Sequence, residues 1–315
     1  MRTFRTLCSG GELFGVGARA AGWAHVDGYE IDSTITAVAR LNGFDVRAAD
    51  VTRIDYATLR PVDHLHASPS CKTASQANTA GGETADDLAV ADAICRSIRA
   101  HQGRTFSLEN VWAYRNYESF ARILATLHEC GFGVHFAHVN SADFGVPQTR
   151  KRLILRAVRG AERVPGLRPT HGKRCGILLA RWNGWYAAIA DILHTLPPTE
   201  PAPWQLARLP AELRETMLIG AGGYDGGTAA AYLLSGENAG QEWGKGYRTG
   251  DEPAFSLSSA AKGAARAYTA GRWVRMNVQA LGRFQTVPDS YIGLTPEING
   301  NGVPCDLAQA IMESL

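Results

Sequence analysis

The chain lacks close cysteine pairs: its six cysteines, at 8, 71, 95, 130, 175 and 305, are scattered and form no C-x-x-C. That spacing argues against a disulfide framework and against a zinc site built from cysteine alone. It also lacks an excess of one charge. With 32 Lys and Arg against 30 Asp and Glu, the formal net charge is +2. Such a total neither demands nor excludes a nucleic-acid partner, because a local basic face can coexist with it. No apolar run approaches the roughly 18 residues of a membrane span, so no membrane partner is expected. The opening MRTFRTLCSGG carries no signal-peptide pattern, and a cytoplasmic location is expected. No repeat, heptad or long tail points to a protein partner, so a monomer is expected. What is present is a globular composition, 45% hydrophobic and 20% charged over 315 residues, enough for one large domain or somewhat more.

Residues 3–8, TFRTLC, read as a buried strand, followed by SGGELFGVGARAAGW, a glycine-rich turn running into a helix of small residues. The next strand, AHVDGYEID, has Glu30 near its end, 20 positions after Gly10. At that spacing a doubly wound α/β domain sets an acid against a ribose hydroxyl. A third unit ends in DVRAADV with Asp50. The glycine spacing misses the strict G-x-G-x-x-G, which weakens a dehydrogenase reading. The strand VDHLHAS places Cys71 just past a C-terminal strand end, the edge at which open α/β sheets bind ligands. TFSLENV then ends in Glu109 and Asn110, and further helix and strand segments lead to SADFGVPQTRKRLILRAV. The alternation predicts an α/β fold with a Rossmann-like, mostly parallel sheet and helices on both faces.

Cys71 after a strand, ENV at 109–111, NSADFGVPQTRKR at 140–152 and NGNGVP at 299–304 come in one order, with RTGDEPAFSL at 248–257 and RFQTVPDSY at 283–291 between the last two. Together they resemble the cytosine-C5 DNA methyltransferases over residues 3 to about 200 and about 247 to 315. The resemblance implies a DNA (cytosine-5-)-methyltransferase acting on double-stranded DNA in a bacterial or phage setting, with S-adenosyl-L-methionine as donor. Cytosine C5 is a poor nucleophile, and a thiolate adding at C6 makes C5 reactive, the role implied for Cys71. Glu109 would hydrogen-bond N3, and Asn110 would brace the loop. Arg150 and Arg152, two apart on an extended segment and so on one face, would hold the flipped cytosine or orient the catalytic loop. Ser75, Lys72 and Gln148 are expected on the substrate side. For the cofactor, Glu30 would take the ribose hydroxyls and Asp50 the adenine amino group, with the backbone of Ser9, Gly10 and Gly11 near the methionine end. Cys8, Ile31, Val51 and Leu88 are expected beside it, and Asn301, Gly302 and Val303 would close the pocket.

Several positions depart from the family pattern. Ser70 and Ala74 replace a usual proline and phenylalanine, and Lys72 a glutamine. Cys8 stands where an aromatic commonly packs on the cofactor. Either room is left there or a neighbour such as Phe14 fills it. The expected division is a catalytic, cofactor-binding domain over 1–200, a small target-recognition region over 201–247, and a segment over 248–315 returning to the catalytic domain. TEPAPWQ at 199–205 reads as a linker, and Gly222, Gly223, Gly226 and Gly227 suggest a loop that orders on DNA. Asn238, Gln241, Lys245 and Arg248 are the base-reading candidates, and so short a region implies a short or relaxed target. An RNA (tRNA) cytosine-C5 methyltransferase on the same scaffold is the alternative; a catalytically silent binding module is disfavoured by intact Cys71, Glu109, Arg150 and Arg152.

Overall fold

The computed structural model describes residues 1–70, 82–174, 176–177, 179–200, 216–219, 247–256, 265–269 and 271–315. Seven strands form the central sheet: β1 (Thr3–Leu7), β2 (Ala24–Glu30), β3 (Val46–Ala48), β4 (His64–Ala67), β5 (Thr105–Asn110), β6 (Phe132–Asn140) and β7 (Lys151–Arg159). Their order is β3-β2-β1-β4-β5-β7-β6. The first five run parallel, and β7 runs antiparallel to both β5 and β6. The mostly parallel expectation holds, with one reversed strand inserted near the edge. Chain order reverses between β1 and β4, which puts the ligand-binding crevice of an open α/β sheet at their C-terminal ends.

Helices α1 (Leu13–Ala20), α2 (Ser33–Leu41), α3 (Ala85–Ala100) and α4 (Glu118–Glu129) connect these strands. Their starts follow local chemistry. Asp32 caps α2 by accepting from the Thr34 and Ile35 amides, and Thr84 and Asp87 form a reciprocal capping box at α3. α3 and α4 cover one sheet face, burying Ile94, Ile98, Ile123 and Leu127 against Leu65, Phe106, Leu108 and Leu155. Burial of each such side chain contributes about 1.5–3 kcal/mol. On the other face α1 packs with the C-terminal segment, so that Phe4, Phe14, Trp23, Leu307 and Ile311 form a second core.

Short strands β8 (His171–Gly172) and β9 (Ala180–Arg181) precede helix α5 (Trp185–Ile189). A four-stranded antiparallel sheet follows, made of β10 (Thr216–Ile219), β11 (Tyr247–Thr249), β12 (Arg266–Thr269) and β13 (Arg272–Arg275) in the order β11-β10-β12-β13. Backbone bonds tie it to the main domain: the Ala254 amide donates to the Pro147 carbonyl and the Arg275 amide to the Pro197 carbonyl, both at 2.9 Å. The chain then returns through α6 (Val278–Arg283), α7 (Pro296–Asn301) and α8 (Cys305–Glu313). Among the described residues no helix is long and apolar enough to cross a membrane.

Candidate active site

The glycine turn after β1 is shaped by two glycines with different duties. Gly10 has φ +53, and a Cβ there would meet nothing within 4 Å, so its face of the turn is open. Gly11 is the opposite case: a Cβ would come within 2.5 Å of Ile298 Cγ2 and 2.7 Å of the Tyr291 hydroxyl. Only a residue without a side chain lets the C-terminal segment approach this closely. The Tyr291 hydroxyl donates to the Gly11 carbonyl and seals that contact.

Glu30 lies at the end of the neighbouring strand. Its Oε2 accepts from the Gly10 amide at 2.9 Å and its Oε1 from the Asp32 amide at 3.0 Å, which fixes the carboxylate at the turn. Asp50 accepts from the Thr52 amide at 2.9 Å and the Thr52 hydroxyl at 2.7 Å; these bonds hold its carboxyl below its ordinary pKa. Burial first, then the negative charges of Glu30 and Asp50, push the Cys8 thiol up to about 12. Cys8 therefore stays protonated beside both acids. Val51 is buried, Leu88 half-buried, and Ile31, 71% exposed, offers apolar surface immediately after Glu30.

Phe14 does not fill the space beside Cys8. It stacks on His66 across the sheet, with ring centroids 3.4 Å apart, and belongs to the core on the α1 face. Cys8 packs with Leu7, Tyr29, Val51 and Tyr56 on the opposite side. The expected substitute aromatic is thus corrected, because the helical phase of α1 turns Phe14 into the core. The Ser9 hydroxyl is buried with no hydrogen-bond partner, the kind of orphaned polar atom that a ligand satisfies. With the open face at Gly10 and the two fixed carboxylates, these residues fit a nucleoside-bearing donor such as S-adenosyl-L-methionine. Of the closing segment, Asn301 is exposed, Gly302 half-buried and Val303 buried in the α1 core.

The chemical edge lies two strands further on. Glu109 and Asn110 end β5 and are both buried. Arg152, at the start of β7, places Nε 3.1 Å from Glu109 Oε1, and its Nη1 donates to the Lys151 carbonyl at 2.8 Å. Asn110 Nδ2 donates to the Pro69 carbonyl at 3.1 Å, and its Oδ1 accepts from the Val111 amide at 2.8 Å. Asn110 therefore braces the segment two residues before Cys71. Arg150 is 1% exposed, and its Nη2 donates to the Gly300 carbonyl at 2.9 Å. Gln148 is wholly buried and donates to the Phe284 carbonyl at 3.4 Å. These two side chains tie the β7 approach to the C-terminal segment, whereas Arg152 reaches the carboxylate. The shared face expected for Arg150 and Arg152 therefore serves two different partners.

Arg248 is half-buried on β11 with its guanidinium 4.4 Å from the centre of the Phe255 ring, and burial lowers its pKa. Cys71, Lys72, Ser75, Asn238, Gln241, Lys245 and the glycines at 222, 223, 226 and 227 lie outside the described residues. Sequence reasoning passed over His64, His66, Thr105 and Ser107, a buried polar row that leads to the half-buried Ser68 at this edge; the available signal was the alternation of polar and apolar residues in HLHAS and TFSLEN. Among the described residues no cluster of histidine, cysteine and acidic side chains could hold a metal ion.

A glycine turn after β1, acids at or just past the ends of β2 and β3, and a buried Glu–Arg pair two strands away stand along one edge of the sheet, an arrangement that fits an α/β methyltransferase. The chain belongs to the C-5 cytosine-specific DNA methylases, a family whose pattern matches residues 3–315. It is similar to the Type II methyltransferase M.AquIA of Picosynechococcus, 28% identical over 221 residues that cover 62% of this chain and 89% of that protein. It also resembles Type II methyltransferase M1.ScrFI of Lactococcus lactis subsp. cremoris, 31% identical over 129 residues, 40% of this chain and 33% of that one. Type II methyltransferase M.NaeI of Lentzea aerocolonigenes is 27% identical over 216 residues, 60% of this chain and 51% of the relative. The matched segments thus span a third to a half of the last two proteins. In fold, the chain matches a Spodoptera frugiperda DNMT2 variant with TM-score 0.65 at 13% identity, covering 100% and 99% of the two chains. It matches the Entamoeba histolytica methyltransferase EhMeth with TM-score 0.59 at 12% identity, covering 100% and 97%.

Proposed function

We propose that the chain methylates C5 of a cytosine flipped out of double-stranded DNA, with Cys71 as nucleophile, Glu109 as the N3 partner and S-adenosyl-L-methionine as donor. The observation that carries this reading is the convergence at one sheet edge of the Glu109–Arg152 pair and the Asn110 brace on Pro69. Membership of a DNA methylase family supports DNA over RNA as the substrate.

The chain's own residues would act as follows. The Cys71 thiolate adds to C6 as electron density moves toward N3. Glu109 shares a proton with N3 and neutralises that charge, a contribution of about 10²–10⁴-fold for a well-placed acid. Arg152 holds the Glu109 carboxyl in position throughout. Glu30 and Asp50 orient the ribose and adenine of the donor, and Ser9 meets its methionine end. The donor supplies the electrophilic methyl group. Loss of the C5 proton to solvent, with expulsion of the Cys71 thiolate, completes the exchange. Arg248 with Asn238, Gln241 and Lys245, and phosphate contacts from Ser75 and Lys72, are the proposed DNA contacts. A recognition region over 201–247 is proposed to read a short or relaxed sequence, and base-resolution sequencing that returned a long unique motif would count against it.

Nucleoside mass spectrometry of DNA and RNA from cells expressing the chain tests the reaction, with a Cys71→Ala control. New 5-methylcytosine in DNA, absent from the control, is the expected result. The mark in tRNA alone would transfer the reading to RNA, and an undiminished mark with Cys71→Ala would remove Cys71 from the chemistry.

A further inference from the structure

Central strands of a parallel sheet are covered on both faces and usually read as nearly continuous apolar runs. β4 and β5 break that rule on one face. Successive side chains of a strand point to opposite sides, so Leu65, Ala67, Phe106 and Leu108 enter the apolar core under α3 and α4. The alternate residues, His64 and His66 on β4 and Thr105 and Ser107 on β5, are polar and wholly or almost wholly buried. The register pairs His64 with Thr105 and His66 with Ser107.

These side chains form one continuous hydrogen-bonded chain. The Thr105 hydroxyl contacts the Asp63 carbonyl at 3.2 Å and His64 Nδ1 at 2.9 Å. His64 Nε2 lies 2.9 Å from Ser107 Oγ, which lies 2.7 Å from His66 Nδ1. His66 Nε2 lies 2.9 Å from Ser68 Oγ. Burial pushes His66 down to about 3 and His64 well below its ordinary value, so both rings are neutral. One proton arrangement then satisfies all five contacts. A carbonyl can only accept, so the Thr105 hydroxyl donates to Asp63 and accepts from His64 Nδ1–H. Ser107 donates to His64 Nε2 and accepts from His66 Nδ1–H, and the Ser68 hydroxyl donates to His66 Nε2. Phe14, stacked on His66, and Trp23, edge-on to His64 with centroids 5.7 Å apart, roof the chain on the α1 side.

The two ends differ in kind. The inner end stops on the backbone at Asp63, at the far edge of the sheet. The outer end is Ser68, one residue past the Ala67–Leu108 pair and thus level with Glu109. Ser68 begins the Ser68–Pro69–Ser70 approach to Cys71. Its amide donates to the Leu7 carbonyl at 3.1 Å, and the next carbonyl, of Pro69, takes the Asn110 bond. The His66 bond adds the side-chain hold between these two backbone holds. Ser107, which joins the histidines, is two residues before Glu109 on the same strand face.

We propose that Ser68 and His66 are positioning residues for methyl transfer, fixing the approach to Cys71 against the strand end that carries Glu109. This inference rests on the reading of Cys71 as nucleophile, and a misplacement of about 1 Å at a reacting group can cost about 10²-fold in rate.

The test uses the full chain, S-adenosyl-L-methionine and a random-sequence DNA duplex with 5-fluorocytosine in place of cytosine. Fluorine at C5 prevents loss of a proton there, so the adduct accumulates and its rate of formation can be followed. Ser68→Ala is expected to slow adduct formation about 10- to 100-fold with donor and DNA affinities essentially unchanged, and to lower Tm only by the loss of one hydrogen-bond partner at His66. Ser68→Thr, which keeps a hydroxyl, is expected to recover most of the rate. His66→Phe keeps the ring stack with Phe14 and removes both nitrogens. It should reproduce the Ser68→Ala defect, and the double variant should be no slower than either single one, as for residues acting through one contact. A wild-type adduct rate in Ser68→Ala overturns the positioning role alone. So does a loss in which Tm and donor binding fall together and Ser68→Thr recovers nothing. Absence of an adduct on the unaltered chain would instead overturn the nucleophile reading, and this inference with it.

Discussion

The two faces of β4 and β5 are buried to similar depth and built on opposite rules. Under α3 and α4, Leu65, Ala67, Phe106 and Leu108 form an apolar layer whose attraction is non-directional. Under α1, His64, His66, Thr105 and Ser107 are held by directed contacts of 2.7–2.9 Å that leave one proton arrangement. Apolar packing tolerates adjustment at modest cost when volume is conserved. A polar row in a dry interior does not, since every member deprived of its partner costs about 1–3 kcal/mol. On the proposed reading, the apolar face supplies stability and the polar face supplies geometry at the edge that carries Glu109.

The largest expected effect on stability comes from Phe106→Ala, which deletes a wholly buried ring and should cost about 3–5 kcal/mol in urea unfolding. Ser107→Ala should cost less, about 1–3 kcal/mol, because it removes one hydroxyl and leaves the volume nearly unchanged. The order reverses for chemistry. At a temperature where both variants are folded, Ser107→Ala should slow methyl transfer more than Phe106→Ala does. Equal slowing by both would dissolve the distinction between the faces.

Acid sharpens the same comparison. Burial lowers His64 and His66, and burial foremost, with Arg159 and Arg5 adding, lowers His101 to about 4. The unfolded chain titrates its histidines near 6.5, so below that pH it holds more protons than the folded chain. Stability is therefore fully present above about pH 6.5 and falls as pH drops toward 4, by up to about 1.4 kcal/mol per pH unit for each histidine. Urea midpoints at stepped pH should show His66→Phe flattening this dependence by close to one proton, and Phe106→Ala leaving its slope intact. A slope unchanged in His66→Phe would mean that His66 is not held neutral.

The sequence was legible where local chemistry and position coincide. The glycine turn, Glu30, Asp50 and the strand ends at Glu109 and Asn110 stand at the C-terminal sheet edge as their spacing predicts. The polar row was not legible, because alternation in HLHAS and TFSLEN is also the signature of a strand with one wet face. Only the placement of α1 and its Phe14 over that face makes it dry. The antiparallel direction of β7 was equally hidden, as strand direction depends on a connection rather than on composition. The spacing of Arg150 and Arg152 was readable, but their separate partners, the Gly300 carbonyl and the Glu109 carboxylate, follow from the return of the distant C-terminal segment.

The smallest expected effect lies at the cofactor end. Cys8 adopts φ 54, a left-handed conformation that costs any side-chain-bearing residue there about 1–2 kcal/mol, so Cys8→Phe adds no new backbone strain. With Phe14 turned into the core and Ile31 exposed beyond Glu30, an aromatic at position 8 that extends past Tyr29, Val51 and Tyr56 would meet the adenine ring of the donor in its proposed place. Cys8→Phe should then tighten S-adenosyl-L-methionine binding by about 0.5–1.5 kcal/mol, the worth of an added ring contact, with little change in Tm. Calorimetric titration of both forms measures this directly. Weaker binding together with a loss of about 1–3 kcal/mol in stability would mark overpacking against Tyr29, Val51 and Tyr56, and would show that the space beside Cys8 is already taken by the protein's own core.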